Sequence, residues 1–92
     1  MLEFEWDEAK RQQNLAKHDV DFLRAARVFY RNPLRQDVSR VEDREKRYCA
    51  IGEVDGDILA VIHTWRGSTC RIISARRARR DERRAYYASL GR

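Results

Sequence analysis

The sequence predicts an α+β fold, a small antiparallel sheet with two helices before it and one after, in the order about β-α-α-β-β-β-β-α. Two observations carry most of this. "RYCAIGEV" and "DILAVIHTW" are strand-like runs separated by Asp55-Gly56, a residue pair favoured in two-residue type I′ hairpin turns. Phe22, Ala25, Ala26 and Phe29 recur at i, i+3, i+4 and i+7, the spacing that lines one side of a helix. With 92 residues there is room for one domain, residues 1–92, and one core. A chain this short buries only about 60–65% of the surface its unfolded form exposes.

Each element has a local reason. Leu2 to Trp6 alternates apolar and acidic residues and reads as a short strand. Asp7 can cap a helix running to about His18, with Glu8 well placed against the positive end of its dipole. Asp19 or Asp21 can cap the second helix, which Asn32-Pro33 ends. Leu34 to Lys46 is charged and weakly patterned, an edge strand followed by a mobile loop. After the hairpin, a turn at Arg66, Gly67 and Ser68 leads to a third strand, "TCRIISAR". The last helix spans about Arg79 to Leu90, with Gly91 closing it and Tyr86 and Leu90 docking it.

The hairpin also predicts which residues share a face. Pairing Val54 with Asp57 puts Tyr48 beside His63, Ala50 beside Val61 and Gly52 beside Leu59. The second turn adds Trp65 beside Cys70, His63 beside Ile72 and Val61 beside Ser74, with Arg76 at the end. The opposite face carries Cys49, Ile51, Ile58, Ala60, Ile62, Ile73 and Ala75, apolar enough to be the helix-covered core. Arg47, Thr64, Arg66 and Arg71 gather at one end of it. On this map Cys49 and Cys70 point to opposite faces and cannot bond. Their spacing matches no zinc motif either.

Charge narrows the function. The composition is 42% apolar and 38% charged, with a net charge of +5. From Leu59 to Arg92 nine arginines face only Asp81 and Glu82, a net of +7, whereas Met1 to Ile58 holds eleven basic and thirteen acidic residues, a net of −2. The C-terminal third therefore suits a polyanion. Lysine occurs only at Lys10, Lys17 and Lys46. Arginine meets phosphate bidentately, although GC-rich coding produces the same bias. No leader pattern and no apolar run near 18 residues is found, so a cytoplasmic protein without membrane contact is expected.

"FEWDEAKRQQNLAKHDVDF" and "HTWRGSTCRIISARRARRDERRAYY" together resemble the BrnT family of type II toxins. The resemblance rests on Trp6, Asp7, Lys10, Asn14, Lys17, His18 and Phe22, then on Arg47, Thr64, Arg66 and Arg71 through Arg76. It implies a RelE-like ribonuclease that cleaves RNA and halts translation, held in check by a BrnA-like antitoxin, with operator DNA contacted only through that antitoxin. At Asp19 a glycine is common in the family, so Asp19 must tolerate a left-handed turn, as aspartate does better than most residues.

RNA cleavage without metal or other cofactor needs a base for the 2′-hydroxyl proton, cations for the phosphorane and an acid for the leaving 5′-oxygen. Arginine stays protonated, so Arg47, Arg66, Arg71 and Arg76 are expected as phosphate clamps. His18 is the leading proton carrier, or else simply caps its helix. Lys10, Lys17 and His18 share one helix side and can reach a phosphate together, or form a solvated face. His63 is a second proton carrier or half-buried sheet filler, and Glu53 a base or an exposed hairpin residue. Arg77, Arg79, Arg80 and Arg83 are expected to attract and orient RNA, with His63 and Lys17 assisting. Tyr48, Trp65 and Tyr87 are candidates for base stacking, and Tyr86 for the core. A noncatalytic nucleic-acid-binding module and a protein-interaction subunit would use the same basic surface.

Overall fold

A computed structural model of the protein describes residues 2–91. The elements are β1 (Glu3–Glu5), α1 (Glu8–His18), α2 (Phe22–Ala25), a 3-10 turn (Ala26–Tyr30), β2 (Leu34–Asp37), β3 (Tyr48–Val54), β4 (Asp57–Arg66), β5 (Thr69–Arg77) and α3 (Arg80–Ser89). The strands form one sheet in the order β1-β5-β4-β3-β2.

The local signals act as expected. Asp7 accepts a hydrogen bond from the Lys10 N–H and Asp21 one from the Leu23 N–H, so each caps its helix. Asp19 ends α1 in the left-handed region, with φ 58°. Asp55 and Gly56 have φ 51° and 88°, both positive as the two-residue turn requires. The second helix gives way to 3-10 geometry after Ala25. That tighter winding repeats every three residues, the interval separating Phe22, Ala25 and Val28, all completely buried. The loop at 38–47 is tied down by Ser39, whose hydroxyl bonds both the N–H and the carbonyl of Arg47.

Four expectations need correction. The sheet is mixed, because β1 pairs in parallel with β5, Phe4 opposite Cys70. No short connection joins these strands, so turn geometry imposes no antiparallel pairing on them. Second, a register shift in the β4-β5 ladder leaves Ile73 as an extra residue, so Val61 opposes Ala75, Ile62 opposes Ser74 and Ala60 opposes Arg76. One inserted residue exchanges the faces beyond it. Ala75 therefore joins Tyr48 and His63, while Ser74 and Arg76 join Thr64 and Arg71.

Third, both faces are covered. The face bearing Ala50, Gly52, Val61 and Ala75 receives Val20, Phe22, Val28 and Phe29, and holds the larger core. Its small residues make room for those side chains: a Cβ on Gly52 would lie 3.1 Å from Val28 Cγ1. The other face is covered by α3, through Tyr86 and Ala78 on Cys49, Ile51 and Ile58. Fourth, Leu90 remains 39% exposed, so Tyr86 docks α3 without it. Cys49 and Cys70 are free and buried, as the face map requires. Burial pushes their thiols up to about 11 and about 12. No helix among the described residues is long and apolar enough to cross a membrane.

Candidate functional site

Sheet register assembles the arginines. Thr64 pairs with Arg71 across β4-β5, and Arg47 precedes Tyr48, which pairs with His63. Alternation then sets Arg47, Thr64, Arg66 and Arg71 on one face, at the end away from the Asp55-Gly56 turn. The Thr64 hydroxyl donates to the Lys46 carbonyl at 2.7 Å, anchoring the chain just before Arg47. Glu5, opposite Arg71 in β1, accepts from Arg71 Nη1 at 2.6 Å and lies 3.6 Å from Arg66 Nη1. Glu45 approaches Arg66 Nη2 at 3.8 Å, and Asp43 approaches Arg47 Nε at 3.7 Å. These last contacts are longer than hydrogen bonds. Most guanidinium donors of Arg47, Arg66 and Arg71 thus make no hydrogen bond among the described residues, Arg47 Nε being buried with only the long contact to Asp43.

Arg76 shares this face but stands at its other end, five residues along β5 from Arg71 and roughly 17 Å away at strand rise. Both of its terminal nitrogens bond Glu82, at 2.6 and 3.0 Å. The same carboxylate accepts the Arg79 N–H at 2.7 Å at the start of α3. Arg76 therefore fastens α3 to the sheet. Hydrogen bonding from Arg76, outweighing burial, holds the Glu82 carboxyl below its ordinary value. A lowered folded-state value stabilises the fold above the unfolded value near 4.3 and ceases to do so as pH falls. Glu82→Gln is accordingly expected to lower the unfolding temperature at pH 7, with a gap to wild type that closes toward pH 3. A gap of equal size at both pH values would overturn this.

Around the start of α3 the remaining arginines point outward. Arg79, Arg80 and Arg84 are exposed and make no ion pair among the described residues. Arg83 donates to the Ala78 carbonyl at 2.9 Å, and Arg77 lies 3.8 Å from Asp57.

A second constellation forms where β1 stops and leaves the outer edge of β5 unpaired. Asn14 of α1 fills that gap: its amide donates to the carbonyls of Ala75 and Val20, and its oxygen accepts the Ala75 N–H. Beside it lies a cleft of about 280 Å³ lined by Lys10, Lys17, His18, Ile73 and Ser74. The three basic residues of α1 thus share one hollow. Ser74, at its floor, belongs to the face that carries Arg71 and Arg76.

The aromatic candidates sit on the other face. Trp65 is 37% exposed and Tyr48 half-buried, and between them lies His63, 0% exposed. The His63 ring packs edge-on against Phe29, with centroids 4.7 Å apart. Burial lowers its pKa, and its neighbours close the ring off from solvent. Glu53, exposed beside the Asp55-Gly56 turn, is at the opposite end of the sheet from the arginine row.

Sequence reading missed Glu5, Ser74 and the structural part played by Asn14. The alternation of "LEFEW" marked Glu5 only as a strand residue, and nothing local pairs it with arginines more than 60 positions away. No curated protein matches the chain. Residues 6–82 match the family described as "Ribonuclease toxin, BrnT, of type II toxin-antitoxin system".

Proposed function

The chain belongs to the BrnT family of ribonuclease toxins of type II toxin-antitoxin systems, and from that premise we propose that it is a metal-independent endoribonuclease of the cytoplasm that stops translation by cutting RNA. The observation that carries this reading is the row of Arg47, Arg66 and Arg71, whose donors are largely unengaged, on the face that Ser74 connects to the hollow of Lys10, Lys17 and His18.

In the proposed reaction the 2′-oxygen attacks the adjacent phosphorus and the bond from phosphorus to the 5′-oxygen breaks. The 2′-hydroxyl proton passes to a base and the leaving oxygen gains one, giving a 2′,3′-cyclic phosphate and a 5′-hydroxyl. Arg71 and Arg66, aligned by Glu5, hold the dianionic phosphorane together with Arg47, while Arg76 guides the strand beside α3. His18 moves a proton, and Lys10 and Lys17 bind the neighbouring phosphate. Trp65 and Tyr48 stack on bases. Arg77, Arg79, Arg80 and Arg83 attract RNA, and the same cationic surface suits an acidic stretch of a BrnA-like antitoxin, through which alone operator DNA is contacted.

Purified protein incubated with RNA in EDTA is expected to yield 2′,3′-cyclic phosphate ends, with His18→Ala slower by about 10²–10⁴-fold and missing one limb of the pH profile. An unchanged profile would remove His18 as proton carrier. Absence of any cleavage by the wild type would turn the reading toward a noncatalytic RNA-binding module.

A further inference from the structure

Beneath Tyr48 and Trp65 the sheet carries a cleft of about 390 Å³, bordered by Arg35 and Asp37 of β2 and floored by His63. It lies on the opposite face from the arginine row, since Asp37 pairs with Tyr48 and Tyr48 with His63. Its size falls in the range of small-molecule sites, about 300–1,000 Å³. The walls are flat rings, Tyr48 half-buried and Trp65 37% exposed. The His63 ring is tilted 35° to Tyr48 and stands nearly perpendicular to Trp65.

The floor has an unmet need. His63 Nδ1 lies 3.0 Å from the Val61 carbonyl, which can only accept, so Nδ1 carries the proton. Nε2 is therefore an acceptor, and it is buried without a hydrogen-bond partner among the described residues. A buried acceptor left unpaired is costly and rare. At the rim, Asp37 spends Oδ1 on the Ser39 N–H, while among the described residues Oδ2 has only Lys46 at 3.7 Å. Arg35 makes no hydrogen bond or ion pair among the described residues. The cleft thus offers two acceptors, one guanidinium donor and aromatic walls.

We propose that this cleft is a base-selecting subsite that takes one guanine of the RNA, stacked on Trp65 with Tyr48 closing its edge. Guanine presents two adjacent donors, N1–H and the 2-amino group, to the acceptors Asp37 and His63 Nε2. The adjoining edge presents two acceptors, O6 and N7, the pattern arginine reads bidentately. Adenine, cytosine and uracil lack that pair of adjacent donors. The base enters by parting Tyr48 and Trp65, and its strand continues around the sheet to the arginine face. The proposal rests on the ribonuclease reading and supplies its sequence preference.

The test titrates isotope-labelled full-length protein with guanosine 3′-monophosphate, the adenosine, cytidine and uridine 3′-monophosphates, and inorganic phosphate, following the Trp65 indole N–H and the amides of residues 35–37 and 48. Guanosine monophosphate is expected to bind there at least about fivefold tighter than the other nucleotides, with Trp65→Ala weakening it about tenfold or more. Asp37→Asn keeps an oxygen for the Ser39 N–H but loses an acceptor, and is expected to erase the preference for guanine with its spectrum otherwise folded. In RNA digests, cuts beside guanine by wild type should spread to other bases in Asp37→Asn. Equal binding of all four nucleotides, shifts confined to the arginine face, or matching shifts with inorganic phosphate would overturn the proposal. Cleavage without guanine preference sinks the subsite and spares the ribonuclease reading. Guanine-selective binding by a protein that cuts no RNA supports the subsite and sinks that reading.

Discussion

Arg71→Ala is expected to slow single-turnover RNA cleavage in EDTA by about 10²–10³-fold, the usual loss when one positioned donor to a transition-state charge is removed. Arg71 bonds Glu5 through Nη1 and its other donors are unengaged among the described residues, so it can hold a phosphate oxygen without first breaking the contact that orients it. Arg66 touches Glu5 only at 3.6 Å, which gives it more freedom and less alignment. Arg71→Lys keeps the charge and loses the planar fork, so it is expected to recover only part of the rate. Arg76→Ala separates the two functions of arginine on this strand. It breaks both bonds to Glu82 and should lower stability, with less effect on the chemical step than Arg71→Ala. Full activity in Arg71→Ala would dismiss the arginine face as the cleavage site.

Asn14→Ala is expected to be the most destabilising single change in α1. The side chain is nearly buried and makes three hydrogen bonds, all to backbone, two of them to Ala75. Its removal leaves the Ala75 N–H, the Ala75 carbonyl and the Val20 carbonyl without partners. Each such group costs about 1–3 kcal/mol, and with partial rehydration the total is about 2–4 kcal/mol. For a domain of this size that is a fall in unfolding temperature on the order of 10–20 °C. Asn14→Asp keeps the acceptor for the Ala75 N–H but cannot donate and adds a buried charge, so it should be no better. The Ala75 amide should also lose its protection from hydrogen exchange. A loss under about 1 kcal/mol with Ala75 still protected would mean that α1 is held at the sheet edge by packing alone.

Much of the fold was legible because the deciding interactions span only a few residues. Asp7, Asp21 and Asp55-Gly56 satisfy backbone groups within three positions of themselves, and the β3-β4 register follows from a two-residue turn. That register gathers Arg47, Thr64 and Arg66, the turn at Gly67 adds Arg71 through β5, and helix periodicity suffices to bring Lys10, Lys17 and His18 to one hollow. The burial of His63 was not legible. Trp65, two positions along on the same face, is 37% exposed, and it is Phe29, from the 3-10 turn, that covers His63.

The sequence by itself determined the elements, their caps, the tight turns and the clustering of arginine on the last two strands, because each depends on backbone preferences or on alternation within one segment. Only the tertiary structure decided what those arginines face. The extra residue at Ile73 moved Arg76 to the face of Arg71, parallel pairing brought Glu5 to Arg66 and Arg71, and folding back of α3 gave Arg76 to Glu82. These outcomes turn on one inserted residue and on pairings between distant segments. Side chains alternate across a strand, so a shift of one position reverses every assignment beyond it, and no short-range preference records where that shift falls.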